Sequence, residues 1–299
     1  MAKPTTSAGY DQDYTKDCER VLVTLLRKFG PWKDSVFLIG GLTPRYLVKA
    51  RPPNAPLHAG TLDIDIVLDL QILTDTQAYQ TLEENLKRMG FERAENEKGN
   101  KVSWRWKTTI DGGATIIVEF LADKPDLRGG KVQELPTEGG VSALNIPYAS
   151  MVADLHDTES VTAQLLGEDG MATEKIRYAN VVSFTCLKAL AFDQRGERKD
   201  AYDVLYCLEH AEGTLEEKAE VIKRHLQGKH ADVISRSLEI LRARFVTDGN
   251  SEGHLKDGPV SVARFETGDG ANPETRERQI LRQRQVSDLV ERLVTLARS

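Results

Sequence analysis

The spacing of apolar and polar positions changes along the chain, and the changes mark its elements. From Gln12 to Phe29, Cys18, Val21, Leu22, Leu25, Leu26 and Phe29 recur at intervals of three and four, which predicts an amphipathic helix ended at Gly30. Ser35 to Ile39 is a short apolar run halted by Gly40-Gly41. Leu42 to Ala50 then reads as helical, with Thr43 and Pro44 as its start, giving strand, glycine turn and helix. Residues 51–60 carry three prolines and predict a loop. In Thr61 to Leu70, TLDIDIVLDL, acidic and aliphatic residues alternate with the period of a strand, and Thr76 to Met89 predicts a helix.

Lys101 to Ile110 and Ala114 to Leu121, rich in β-branched and aromatic residues, flank Asp111-Gly112-Gly113 and predict a hairpin. Two further strands are expected at Ser160 to Leu166 and Glu174 to Tyr178, around a Gly-Glu-Asp-Gly turn. From Val181 the pattern turns helical, over Val181–Gln194, Lys199–His210, Leu215–Leu226 and Ala231–Phe245. Residues 247–273 are rich in Gly, Asp and Ser and predict a flexible segment, followed by a last helix from about Glu274 to Ala297. The expected class is α+β: a mixed sheet flanked by helices over residues 1–180, followed by an all-helical C-terminal domain over residues 181–299.

Composition narrows the classes of function. The 299 residues are 40% hydrophobic, enough for a sizeable core, and 40 Lys plus Arg against 46 Asp plus Glu give a formal charge of -6. That balance lacks the basic excess of an electrostatic nucleic-acid binder. Cys18, Cys186 and Cys207 form no disulfide or four-thiolate pattern, which fits a reducing, cytoplasmic setting. No apolar run reaches the roughly 20 residues that span a bilayer, and the start has no apolar signal core, so neither membrane insertion nor secretion is expected.

The chemistry is carried by acids on strands. Asp63 and Asp65 are two apart and share one strand face, while Leu62, Ile64 and Ile66 take the other. Such a pair stands either in open solvent or around a cation, and hard ions such as Mg²⁺ commonly take one or two carboxylates plus substrate phosphates. Gly40-Gly41 lies upstream at a strand-to-helix turn, where bare backbone amides suit phosphate. Glu119 in TIIVEFLAD faces the same way as the aspartates if the strands are neighbours. Three carboxylates on adjacent strands suit two metal ions and an in-line phosphoryl displacement.

Gly40-Gly41, then TLDIDI with Asp63 and Asp65, then an acid on a later strand, resembles the nucleotidyltransferase superfamily with the polymerase-β-like fold. The segment VSFTCLKALAFDQRGERKDAYDVLYCL, residues 182–208, is similar to the C-terminal motif of AbiEii-type nucleotidyltransferases, with Lys188 matching the helix lysine and Arg198-Lys199-Asp200 with Asp203 matching the rest. The resemblance covers roughly residues 35 to 210. It implies an Mg²⁺- or Mn²⁺-dependent enzyme that moves a nucleoside monophosphate from an NTP to an acceptor and releases pyrophosphate. It further implies a bacterial toxin–antitoxin setting, with the tRNA acceptor end as one acceptor and a cognate antitoxin as partner. In this reading Asp63, Asp65 and Glu119 hold metal, Gly40 and Gly41 cradle phosphate, and Lys188 neutralises the triphosphate with Lys199 nearby. The interval from Gly41 to Asp63 is longer than the superfamily usually shows, and Gly60 stands where an arginine often precedes Thr-x-Asp. Arg45 and Arg51 are the substitutes this chain offers.

Three rivals remain. A non-catalytic or antitoxin-like protein could retain the fold, a small molecule such as an antibiotic could be the acceptor, and Asp-x-Asp also occurs in nucleotide-sugar glycosyltransferases. Several residues have plainer readings. Asp200 and Asp203 share a helix face suited to capping or to pairing with arginines, Asp69 lies near a strand end and is expected to be exposed, and His58 is expected in solvent. Trp104 and Trp106 share a strand face as core packing. Arg276, Arg278, Arg282, Arg284, Arg292 and Arg298 make a basic stripe on a solvated last helix, which an RNA or a partner could also use.

Overall fold

A computed structural model describes residues 3–49, 55–75, 81–96, 98–111, 113–136, 139–167, 169–270 and 272–299. Helix α1 (Gln12–Phe29) forms where the apolar stripe predicts it. The Asp11 carboxylate caps it by accepting from the Asp13 amide at 2.8 Å, and Arg27 and Lys28 favour its negative end. The stripe from Cys18 to Phe29 is buried, and the Phe29 ring stacks on Phe120 with centroids 6.1 Å apart.

Among the described residues nine strands make one mixed sheet: β1 (Val36–Ile39), β2 (Asp63–Leu68), β3 (Glu92–Glu95), β4 (Lys101–Thr109), β5 (Thr115–Ala122), β6 (Val132–Glu134), β7 (Ser142–Asn145), β8 (His156–Gln164) and β9 (Met171–Ala179). Their order is β3-β4-β5-β2-β1-β9-β8, with β7 beside both β5 and β6. Strand β2 runs antiparallel to β1 and parallel to β5, so the acidic strand lies inside the sheet. Ile64, Ile66, Val118 and Phe120 are fully buried on one face, as the strand period requires. The helices among these strands are short: α2 (Pro44–Leu47), α3 (Leu70–Asp75), α4 (Leu82–Arg88) and α5 (Met151–Asp154).

Among the described residues from Val181 onward every element is helical: α6 (Val181–Arg195), α7 (Arg198–His210), α8 (Leu215–His225), α9 (Ala231–Phe245), α10 (Asp257–Thr267) and α11 (Pro273–Arg298). The chain divides into two compact units. One comprises Asp11–Tyr46 and Gly60–Asn180, and the other Met1–Tyr10, Leu47–Ala59 and Val181–Ser299. The longest segment of the second unit begins at Val181, where α6 starts. The described parts of the first ten residues and of the Pro-rich loop nonetheless belong with the helices, because Tyr10 packs on Phe265 and the Tyr206 hydroxyl donates to the Pro56 carbonyl at 3.0 Å.

Some expectations are corrected. Within residues 247–273, expected to be flexible, lie a 3-10 turn at Gly253–Leu255 and all of α10, with Val262, Ala263 and Phe265 fully buried. Gly258 there serves packing, since a Cβ on it would meet the Phe245 ring at 2.7 Å. The helix expected from Leu42 to Ala50 is only the four residues of α2. Of the helix expected over Thr76 to Met89, α4 is described and starts at a capping box between Thr81 and Glu84; residues 76–80 and Arg51 lie outside the described residues. The expected hairpin is present as β4 and β5, and Trp106 is fully buried in the core. Among the described residues no helix is long and apolar enough to cross a membrane.

Candidate functional site

Asp63 and Asp65 occupy one face of β2, Asp63 buried and Asp65 half-buried. Thr61, itself buried, places its Oγ1 3.1 Å from Asp63 Oδ1 and fixes that carboxylate. Asp65 pairs with Ile39 of β1 on one side and with Glu119 of β5 on the other. Paired residues of neighbouring strands point to one face, so Asp63, Asp65 and Glu119 share it. Their charge is felt nearby. The Cys18 thiol is pushed up first by burial and then by the Asp63, Asp17 and Asp65 carboxylates.

Gly40 lies under Asp65. Its φ of +73° is a left-handed backbone conformation, and a Cβ built there would overlap the Asp65 carboxylate. The glycine turn thus admits the carboxylate itself. Helix α2 beyond it is too short to develop the dipole expected to hold phosphate. Thr43, in the same turn, has a buried hydroxyl with no hydrogen-bond partner. Gly40→Ala is expected to destabilise the protein by about 1–2 kcal/mol from backbone strain alone, with the overlap adding to it. A urea midpoint equal to that of the parent would contradict the cradle.

Glu119 also faces a cation. Arg105 of β4 is its cross-strand partner, with Nε 2.9 Å from Glu119 Oε1. The donor set suits a hard dication: the Asp63–Asp65 pair supplies carboxylate oxygens, and at Gly40 the bare backbone leaves room for the Asp65 carboxylate. As placed, no three His, Cys, Asp or Glu side chains among the described residues converge as a metal-holding group. A metal held by the Asp63–Asp65 pair would take its remaining ligands from water and phosphate oxygens.

Arg45 is engaged within the protein. Its guanidinium takes Glu19 in a fork, at 2.7 and 3.2 Å, and Tyr46 donates to the same carboxylate at 2.9 Å. Asp69, expected to be exposed, instead caps α3 by accepting from the Gln71 and Ile72 amides at 2.9 and 3.1 Å.

Lys188 and Lys199 belong to the other unit. Lys188, buried, pairs with Asp200 at 2.9 Å and Asp203 at 2.7 Å; Lys199 pairs with Asp203 at 2.8 Å; and Arg195 pairs with Asp200 at 2.6 Å. Burial alone would lower the Lys188 ammonium, but Asp200 and Asp203 outweigh it and hold the group above the ordinary lysine value. Lys199 is lowered by burial, which its share of Asp203 does not offset because Lys188 stands beside it. Asp200 and Asp203 thus take the pairing role expected of them, with lysines as well as an arginine.

His58 is a correction of a different kind. Expected in solvent, it is largely enclosed, its side chain 10% exposed, with Nε2 2.9 Å from Asp203 Oδ1 and its ring stacked on Tyr202. Burial holds it at about 4 in spite of Asp203. The folded protein therefore keeps His58 neutral where an unfolded chain, at 6.5, binds a proton. Its contribution to stability is complete above pH 6.5 and is lost as pH falls toward 4, by up to about 3 kcal/mol. Urea unfolding of the parent and of His58→Gln from pH 7 to 4.5 checks this, and equal slopes for the two would contradict it.

The arginine stripe of α11 is partly internal. Arg282 forks onto both Glu209 and Glu266, joining α7, α10 and α11, and Arg292 pairs with Glu216, while Arg276, Arg278 and Arg284 are exposed. Sequence reasoning missed Arg105, Thr61 and Glu19. For Arg105 a signal existed, since counting back from the hairpin turn puts it opposite Glu119. No protein-family model matches this chain, and no curated protein matches it at a significant level.

Proposed function

We propose that the protein is a divalent-metal-dependent nucleotidyltransferase of the polymerase-β-like kind. The observation that carries the reading is the register of β2 and β5, which sets Glu119 beside Asp65 on the face that also bears Asp63, above a glycine turn. Asp63 and Asp65 hold Mg²⁺ or Mn²⁺, which when bound lowers the pKa of the attacking hydroxyl and neutralises charge on the transferring phosphoryl group. Thr61 fixes Asp63, Gly40 leaves Asp65 its place, and Glu119 supplies the third carboxylate.

Lys188 and Lys199 are the cations that the AbiEii resemblance assigns to the triphosphate. With Arg195 they outnumber Asp200 and Asp203 by three to two while His58 is neutral, so the cluster keeps a positive excess for an anion. The tRNA acceptor end as acceptor, a toxin role, an antitoxin partner and a cytoplasmic site of action follow from the resemblance alone. Incubation with each labelled nucleoside triphosphate, Mg²⁺ and total RNA tests the reading: label in RNA supports it, and label in a small molecule supports the antibiotic-type alternative.

A second reading, a non-catalytic or antitoxin-like protein that retains the fold, is favoured by one observation. Arg45, Lys188 and Lys199, the cations expected to grip triphosphate, are each engaged by a carboxylate of the protein itself. No label transfer to any acceptor, with triphosphate binding absent by calorimetry, would favour it.

A further inference from the structure

The two ends of the sheet are protected differently. At one end β3 has four residues, its register with β4 shifts between Arg93 and Glu95, and Glu92, Arg93 and Glu95 charge it. Short, irregular and charged strands are how sheet edges avoid pairing with another chain. At the other end β8 has nine residues, pairs with β9 without a break from His156 to Gln164, and contains no Lys, Arg, Pro or Gly. Among the described residues it pairs with no strand but β9. The parity of that ladder identifies the main-chain groups left at the edge. Leu165 donates to the Gly170 carbonyl at 2.8 Å and Asn180 to the Leu155 carbonyl at 3.3 Å, so the odd-numbered residues of β8 bond to β9. The N–H and C=O groups of Thr158, Ser160 and Thr162 therefore point away from β9, and all three side chains are exposed. Beyond them the edge is closed, because Arg20 donates to the Gln164 carbonyl at 3.4 Å and Thr24 accepts from the Leu166 amide at 3.1 Å.

We propose that β8 is the contact of a two-fold dimer, in which the β8 strands of two copies of this chain pair antiparallel about Ser160. Ser160 then faces its own counterpart, Thr158 of each copy faces Thr162 of the other, and their outward N–H and C=O groups bond one another. Charge favours a second copy as the occupant. Both acids of β8, Asp157 and Glu159, lie in its first half, its second half is uncharged, and the Arg20 guanidinium stands at Gln164. Antiparallel pairing about Ser160 sets Asp157 opposite Ala163 and Glu159 opposite Val161, and brings the Arg20 end of one copy to the acidic end of the other. Centred on Glu159, the pairing would set that carboxylate opposite itself; centred on Val161, it would need the Gln164 carbonyl that Arg20 already holds. The same edge serves both copies, so the contact closes at two. Strands β9 and β1 separate β8 from the acidic strand β2, and the dimer does not depend on the chemistry proposed there.

Sedimentation velocity of the full chain across the micromolar range tests this, with circular dichroism melts to confirm that each variant is folded. The parent is expected to pass from monomer to dimer and no further. Ser160→Pro removes the central donor and puts a ring at the edge while sparing the ladder to β9, and should weaken the dimer about tenfold or more. Two double variants at exposed positions read the register. Thr158→Glu with Thr162→Lys sets opposite charges across both symmetry-related pairs and should tighten the dimer. Thr158→Glu with Thr162→Glu sets like charges there and should weaken it, so that the two dissociation constants differ by about tenfold. Added salt should narrow that difference. If Ser160→Pro does not fold, the double variants decide alone. A parent that stays monomeric overturns the proposal and leaves the edge to a strand of another protein. Growth beyond the dimer, an unchanged dissociation constant in folded Ser160→Pro, or one and the same constant for both double variants overturns it as well.

Discussion

Asp65→Asn should abolish nucleotide transfer, lowering turnover by about a thousandfold or more, while the protein stays folded. Asp65 is the central member of its row, flanked by Ile39 and Glu119, and its carboxylate fills the space that Gly40 leaves open. The amide keeps that shape, so the glycine turn and the two strands need not move. On the proposed reading the charge lost would be one that holds a hard cation, and removing one preorganised electrostatic contact at a reacting phosphoryl group is worth several kcal/mol of transition-state stabilisation.

The effect on stability should have the opposite sign. In metal-free buffer Asp65 stands on one sheet face with Asp63 and Glu119, and neutralising it relieves like-charge repulsion. Thermal unfolding of Asp65→Asn with a chelator present is expected at or about 2 °C above the parent, the pattern of a functional site held at the expense of stability. Turnover near that of the parent would remove Asp65 from the active site. A melting temperature well below the parent would make the carboxylate structural instead.

Local patterns in the sequence made much of this legible. The apolar stripe of α1 spans the residues that are buried, because spacing by three and four is a property of the helix itself. The parity of TLDIDI placed Asp63 and Asp65 together, and the β4–β5 hairpin follows from its turn residues. The adjacency of Asp65 and Glu119 needed more. It depends on β2 pairing in parallel with β5 across two intervening strands, which no local pattern encodes. Long-range pairing also hid the fate of the cations: Glu19 lies 26 residues from Arg45, and Asp203 lies 145 residues from His58. Helix α10 was hidden by composition, since its Gly, Asp and Ser residues read as a linker while the packing of Gly258 on Phe245 appears only in three dimensions.

Asp203→Ala should be the most destabilising single change in the helical unit, at about 3–5 kcal/mol. Asp203 is fully buried and receives Lys188 at 2.7 Å, Lys199 at 2.8 Å and His58 at 2.9 Å. Burial alone would raise its carboxyl, but the two ammonium groups outweigh burial and hold it well below the usual carboxylate range. Alanine leaves Lys188 with Asp200 alone and Lys199 without the carboxylate it shares, two desolvated cations side by side. It also releases His58, whose imidazole joins the loop after the Pro-rich stretch to α7. Lys188→Met should be milder, at about 1–2 kcal/mol, because Asp203 then keeps Lys199 and His58 and Asp200 keeps Arg195. Urea unfolding of the two variants at pH 7.5, where His58 is neutral in both states, measures the order directly. A Lys188→Met variant less stable than Asp203→Ala would show that the lysine, and not the aspartate, is the hub of the buried network.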